Sequence, residues 1–103
     1  MIKIRLFCNL GMSTSMLVKN MQNEADDRGL EVEVDAKELA NIELEGLDVA
    51  LLGPQVSYKL DEVRKLGEDH GVIVDVIPLK EYGMMDGKGV LDQALRLYEE
   101  NQE

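Results

Sequence analysis

The chain has 103 residues, 45% of them hydrophobic and 31% charged, which is the balance of one soluble globular domain. Its formal net charge of −10 argues against a nucleic-acid or anionic-membrane ligand, since both attract basic surfaces. No apolar run approaches the roughly 20 residues that span a bilayer. The opening Met1-Ile2-Lys3-Ile4-Arg5 alternates charge with apolar side chains, unlike a signal peptide, so a cytoplasmic protein is expected. A single cysteine excludes an internal disulfide, leaving Cys8 to act, if at all, as a thiol.

The periodicity predicts a strand over Ile2 to Phe7, with Ile2, Ile4 and Leu6 on one face and Phe7 on the other. A loop of small and polar residues, Cys8 to Ser13, leads into a helix from about Thr14 to Asp27, with Leu17, Val18, Met21 and Ala25 along one side and Gly29 as its stop. Leu30 to Ala36 alternates strictly and reads as a half-exposed edge strand. Residues 38–48 carry no clear pattern. Asp48 to Leu52 is a short apolar strand closed by Gly53-Pro54. A second helix is predicted from about Tyr58 to Asp69, marked by Leu60, Val63, Leu66 and Gly67. Val72 to Ile77 is an apolar strand ended by Pro78, and Leu79 to Met85 is a connector or short helical turn. Val90, Leu91, Ala94, Leu95 and Tyr98 then mark an amphipathic helix running to the C-terminus.

This alternation predicts an α/β fold: a four-stranded parallel sheet of order 2-1-3-4, flavodoxin-like, with helices on both faces. Lys3 and Arg5 fit a central strand only near its N-terminal end, where their side chains reach solvent.

In such a sheet ligands gather at the carboxyl ends of the strands. The first of these ends carries Cys8, then Asn9, Leu10, Gly11, Met12, Ser13, Thr14 and Ser15 at the head of a helix. A helix N-terminus offers unpaired N–H groups to an anion, and Gly11 lets neighbouring N–H groups turn inward as a nest. The hydroxyls of Ser13, Thr14 and Ser15 can cap the helix or donate to phosphate, and a thiol placed there is expected to react as a thiolate. A cysteine phosphatase of the small α/β type needs an arginine to clamp phosphate, six positions after the nucleophile; Thr14 stands there instead. The loop therefore suits carrying a phosphoryl group better than hydrolysing it. A phosphatase or arsenate-reductase-like enzyme, and a phosphate-sensing regulatory domain, are the competing readings. No Walker A loop, dinucleotide fingerprint, Cys-x-x-Cys pair or zinc-ligand spacing occurs, so neither metal nor cofactor is expected.

The string from Phe7 to Ser15 resembles the active-site loop of enzyme IIB in the lactose/cellobiose branch of the bacterial sugar phosphotransferase system. Leu51-Leu52-Gly53-Pro54-Gln55-Val56 and Tyr82-Gly83-Met84-Met85-Asp86-Gly87-Lys88-Gly89-Val90-Leu91 agree with the same family. The resemblance covers essentially residues 1–103, read as one IIB-type domain. It implies that a histidine-phosphorylated IIA protein charges Cys8, with residues 9 to 15 forming the phosphate-binding loop. The group then passes to a sugar on the membrane-embedded IIC transporter, a β-glucoside-type sugar such as cellobiose, a lichenan oligosaccharide or chitobiose. A monomer suits such a shuttle. Gln55 and the segment Tyr82 to Gly89 could add to the site or serve as plain turns. Met12 and Met16 could offer pliable contacts to two partners. His70, before Gly71 at a helix end, reads as a dipole partner, and Glu24, Asp26 and Asp27 as a solvated face.

Overall fold

The computed structural model describes residues 1–8 and 14–101. Strand β1 (Ile2–Cys8) is followed by helix α1 (Ser15–Asp27), β2 (Val32–Glu38), a 3₁₀ turn (Leu39–Asn41) and β3 (Val49–Leu52). A 3₁₀ segment (Pro54–Lys59) then leads to α2 (Leu60–His70), β4 (Ile73–Val76), α3 (Leu79–Gly83) and α4 (Gly87–Glu100). The four strands pair in parallel in the order β2-β1-β3-β4, as the alternation of strands and helices predicts. Among the described residues no helix is long and apolar enough to cross a membrane.

Side-chain alternation along the strands divides the core in two. Ile4 and Leu6 of β1, with Val49 and Leu51 of β3, meet Leu17, Met21 and Ala25 of α1 and Val90, Leu91 and Ala94 of α4. On the opposite face Phe7, Ala50 and Leu52 meet Val56 and Val63, together with Leu44 and Leu47. The segment that lacks a pattern in the sequence thus supplies two buried leucines to that second layer. Leu66, counted into the α2 stripe by its spacing, is instead 41% exposed, because α2 is seated on Val63 and Gly67.

Two glycines allow close approach between layers. A Cβ on Gly67 would lie 2.7 Å from Val72 O and 2.8 Å from Val74 Cγ2, so α2 rests directly on the strand that follows it. A Cβ on Gly87 would come within 2.4 Å of the Asn20 carbonyl carbon, which sets the contact of α4 with α1. The same seam is tied by Asn20 Nδ2, which donates to Met85 O at 2.9 Å, Met85 having a left-handed backbone (φ 53°) unusual for its type. Gly71 ends α2 in the left-handed conformation (φ 68°) that its position before the break implies.

The edge strand differs from the expected span. Pairing runs from Ile2↔Val32 to Cys8↔Glu38, so β2 starts two residues later and continues two residues further than its alternation indicates. Leu30 falls in the turn after α1. Arg5 also differs: its guanidinium does not merely reach solvent but donates from Nε and Nη2 to both carboxylate oxygens of Asp35, at 2.8 and 2.9 Å. Arg5 and Asp35 are register partners, and that hydrogen bonding raises the arginine's pKa. Nη1 donates to Glu43 O, fastening the unpatterned segment to the central strand. Asp35→Ala should lower stability by about 1 kcal/mol, the carboxylate being 40% exposed. Urea unfolding at low and at high salt checks this, and the loss should shrink as salt is added.

Candidate functional site

β1 ends in the middle of the sheet, flanked by β2 and β3, so its last residue lies where ligands collect in this architecture. That residue is Cys8. Its 5% exposure alone would suit a small hydrophobe in a core. Its neighbours do not. Cys8 Sγ donates to Thr14 Oγ1 at 3.4 Å, and Thr14 is itself a buried polar residue. Thr14 stands at the N-cap of α1 with helical backbone angles, and its hydroxyl makes no capping bond. The helix begins without a side-chain cap, and the hydroxyl that would supply one points to the thiol instead. Ser15 is exposed in the first turn.

The second wall is Gly53, whose amide donates to Phe7 O at 2.9 Å and extends the β1–β3 pairing by one step. The position a Cβ would occupy on Gly53 is 3.7 Å from Cys8 Cβ and 3.4 Å from Gln55 Oε1. Gly53 therefore packs its backbone against Cys8 on this side. Gln55 is exposed, with Oε1 turned towards Gly53.

Tyr82 completes the surroundings. It belongs to the same buried cluster as Leu6 and Leu17, on the sheet face to which β1, alternating from Leu6, also turns Cys8. Its hydroxyl is buried and has no hydrogen-bond partner among the described residues. Burial raises the phenol's pKa, and negative charge on Cys8 raises it further. The sequence marks only a stretch, Tyr82 to Gly89, as a possible rim; the one usable sign of Tyr82 in particular is an aromatic hydroxyl soon after the last strand ends, on the same sheet end as Cys8. Of the rest, Gly83 ends α3, residues 84–86 link it to α4, and Gly87 to Gly89 begin α4. Asp86 caps α4 by accepting from Gly89 N at 3.0 Å, and Gly87 packs on α1.

The raised phenol pKa has a measurable consequence. The folded protein holds this proton to higher pH than the unfolded chain, so the associated stability is whole below about pH 10 and is lost as pH climbs through the folded value. Unfolding free energy should therefore fall with alkalinity above about pH 10, and the fall should be shallower in Tyr82→Phe. Denaturant titrations of both proteins at several alkaline pH values measure it.

Of the other candidates, Asn9, Leu10, Gly11, Met12 and Ser13 lie outside the described residues. Met16 is exposed one residue into α1. His70 is the last residue of α2, which leads into the start of β4, so it sits at the sheet end opposite Cys8. Its place next to the Gly71 cap agrees with the dipole reading. Glu24 accepts from Arg28, which also bridges to Asp92 on α4, so this part of the acidic face joins two helices at the surface.

Comparison with known proteins is consistent along the chain. Residues 3–93 match the family model described as the PTS system, lactose/cellobiose-specific IIB subunit. The cellobiose-specific EIIB component of Lactococcus lactis subsp. lactis is 48% identical over 101 residues, covering 91% of this chain and 94% of that protein. The galactose-specific EIIB component of Lactococcus lactis subsp. cremoris is 46% identical with the same coverage. Among solved structures, the cellobiose-specific phosphotransferase IIB component from Borrelia burgdorferi superposes with a TM-score of 0.79 at 27% identity, covering 97% of this chain and 94% of that one.

Proposed function

Because the chain belongs to the lactose/cellobiose-specific IIB subunits of the phosphotransferase system, components that act as phosphotransferases in sugar phosphorylation, we propose that Cys8 is its phosphoryl carrier. The observation that carries this reading is the company of the thiol: a nucleophile at the carboxyl end of the central strand, in contact with a hydroxyl at a helix N-terminus that caps nothing. Residues 9 to 15 would supply backbone and hydroxyl donors to the phosphoryl oxygens, and a helix N-terminus favours that charge.

Charging is a displacement at phosphorus. The Cys8 thiol gives up its proton and its sulfur attacks the phosphohistidine of a IIA protein; the S–P bond forms as the P–N bond breaks, and the imidazole keeps the electron pair and takes up a proton, leaving as neutral histidine. Discharge reverses the role of sulfur. A sugar hydroxyl oxygen on the IIC transporter attacks phosphorus, the S–P bond breaks, and Cys8 leaves as thiolate while the hydroxyl proton passes to a base. Donors already in place need little reorganisation as charge shifts between the attacking and leaving atoms.

Both partners must approach the same sheet end in turn. Met16, Tyr58 and Leu79 are large, exposed and apolar, and each lies on a connection that leaves the carboxyl end of a strand, which supports a docking face around Cys8. A monomeric, cytoplasmic, single IIB-type domain would present that face to IIA and then to IIC. The proposed acceptor is a β-glucoside-type sugar such as cellobiose. The galactose-specific relative is nearly as similar as the cellobiose-specific one, so the sugar has to be assigned by discharge assays.

Intact mass after incubation with phosphoenolpyruvate, the general phosphotransferase proteins and a matching IIA tests the carrier step. One phosphoryl group should be gained, and only when IIA is present. No gain from an IIA that is demonstrably charged, across several IIA proteins, would sink the proposal.

A further inference from the structure

Tyr82 is 6% exposed, and its hydroxyl oxygen is sealed from solvent without a donor or acceptor among the described residues. Phenylalanine would fill the same space without leaving a buried polar atom unpaired, so the hydroxyl is a net cost to the fold as it stands. Gln93 Oε1 is also unpaired, but the Gln93 amide nitrogen donates to Val76 O at 2.9 Å, which gives that side chain a structural task. Tyr82 has no such second bond.

Its placement gives the hydroxyl a use. The ring is part of the buried cluster that holds Leu6 and Leu17, on the side of the sheet to which Cys8 turns, and charge on Cys8 is felt at the phenol. A buried donor on the nucleophile's side of the sheet is satisfied if the missing acceptor arrives on the substrate, and the free energy withheld in the empty site is then recovered on loading. We propose that the Tyr82 hydroxyl donates a hydrogen bond to an oxygen of the phosphoryl group carried on Cys8. The contact rests on the carrier reading above and adds to it a donor from α3, outside the loop of residues 9 to 15. A neutral phenol also suits a relay. It stabilises a phosphoryl group less than a guanidinium would, so the carrier is loaded without being trapped.

The test compares Tyr82→Phe with the parent, each mixed with charged IIA protein. Two quantities are read: the equilibrium division of phosphoryl groups between IIA and this chain, and the ³¹P resonance of the loaded protein. The variant should melt cooperatively at or above the parent's temperature, since an unpaired buried hydroxyl is gone. Its phosphoryl equilibrium should move about tenfold towards IIA, the effect of one hydrogen bond to a charged group. The ³¹P line should move as well. An unchanged division with an unchanged ³¹P line would overturn the contact, even if the melting temperature moved. In the parent itself, charging should shift the Tyr82 ring resonances more than those of Tyr98, which gives an answer should the variant fold poorly; equal shifts would also overturn it. Failure of the parent to charge at all would instead remove the carrier reading, and this contact with it.

Discussion

Cys8→Ser is expected to fold like the parent and to take up no phosphoryl group from a charged IIA protein. The substitution replaces Sγ by a smaller oxygen that can still donate to Thr14 Oγ1, so the one described polar contact of the thiol has a substitute. What is lost is reactivity. A serine hydroxyl is un-ionised at neutral pH and needs an adjacent base to attack phosphorus, whereas a thiol supplies some thiolate unaided. Intact mass should show one phosphoryl group on the parent and none on the variant, with coincident thermal melts. Charging that survives in Cys8→Ser would place the acceptor elsewhere. His70 is the chain's single histidine, so His70→Gln identifies that case directly. If Cys8 is the carrier, His70→Gln charges like the parent, as its position at the far end of the sheet implies.

Gly87→Ala is expected to be among the most damaging single changes outside the site. The added Cβ would lie 2.4 Å from the Asn20 carbonyl carbon, 2.6 Å from Asn20 Cβ and 2.6 Å from Met21 N. Two of these three are backbone atoms of α1, so no rotamer change relieves the overlap and one helix must move. Overpacking of this kind costs about 3 kcal/mol, which in a domain of this size lowers the melting temperature by roughly 12–24 °C. The displaced helix is the one whose first turn brings Thr14 to Cys8, so charging by IIA should slow as well. Gly83→Ala is the control. Nothing lies within 4 Å of a Cβ at that position, and it should be neutral or slightly stabilising. Equal melting temperatures for the two variants would refute the close approach of α1 and α4.

The elements with strong periodicity were legible from residue order alone. Leu17, Met21 and Ala25 mark the buried face of α1, and Val90, Leu91 and Ala94 that of α4, because a helix with one apolar stripe has a single way to face a core. Strand order followed from the handedness of the crossovers. Less legible were features that depend on what lies opposite. The limits of β2 are set by its register with β1, and alternation with a period of two marks a face without marking ends. Leu44 and Leu47 are buried by a layer to which 38–48 contributes without regular structure, so no periodicity announces them. Arg5 reads as a solvent-seeking side chain until Asp35 is seen as its register partner.

The same division runs through the site. The order of residues by itself determined that a lone cysteine ends the first strand and precedes a helix, because both depend only on local pattern. It likewise determined the loop's likeness to a known family. Only the tertiary structure decided that Thr14 turns its hydroxyl to the thiol rather than to its own helix, that Gly53 packs against Cys8, and that the hydroxyl of Tyr82, 74 positions along the chain from Cys8, is buried without a partner on the same side of the sheet. The physical reason is that local pattern reports which side of an element is apolar. Where a polar atom finds its partner depends on elements brought together across the sheet, and that is a property of packing.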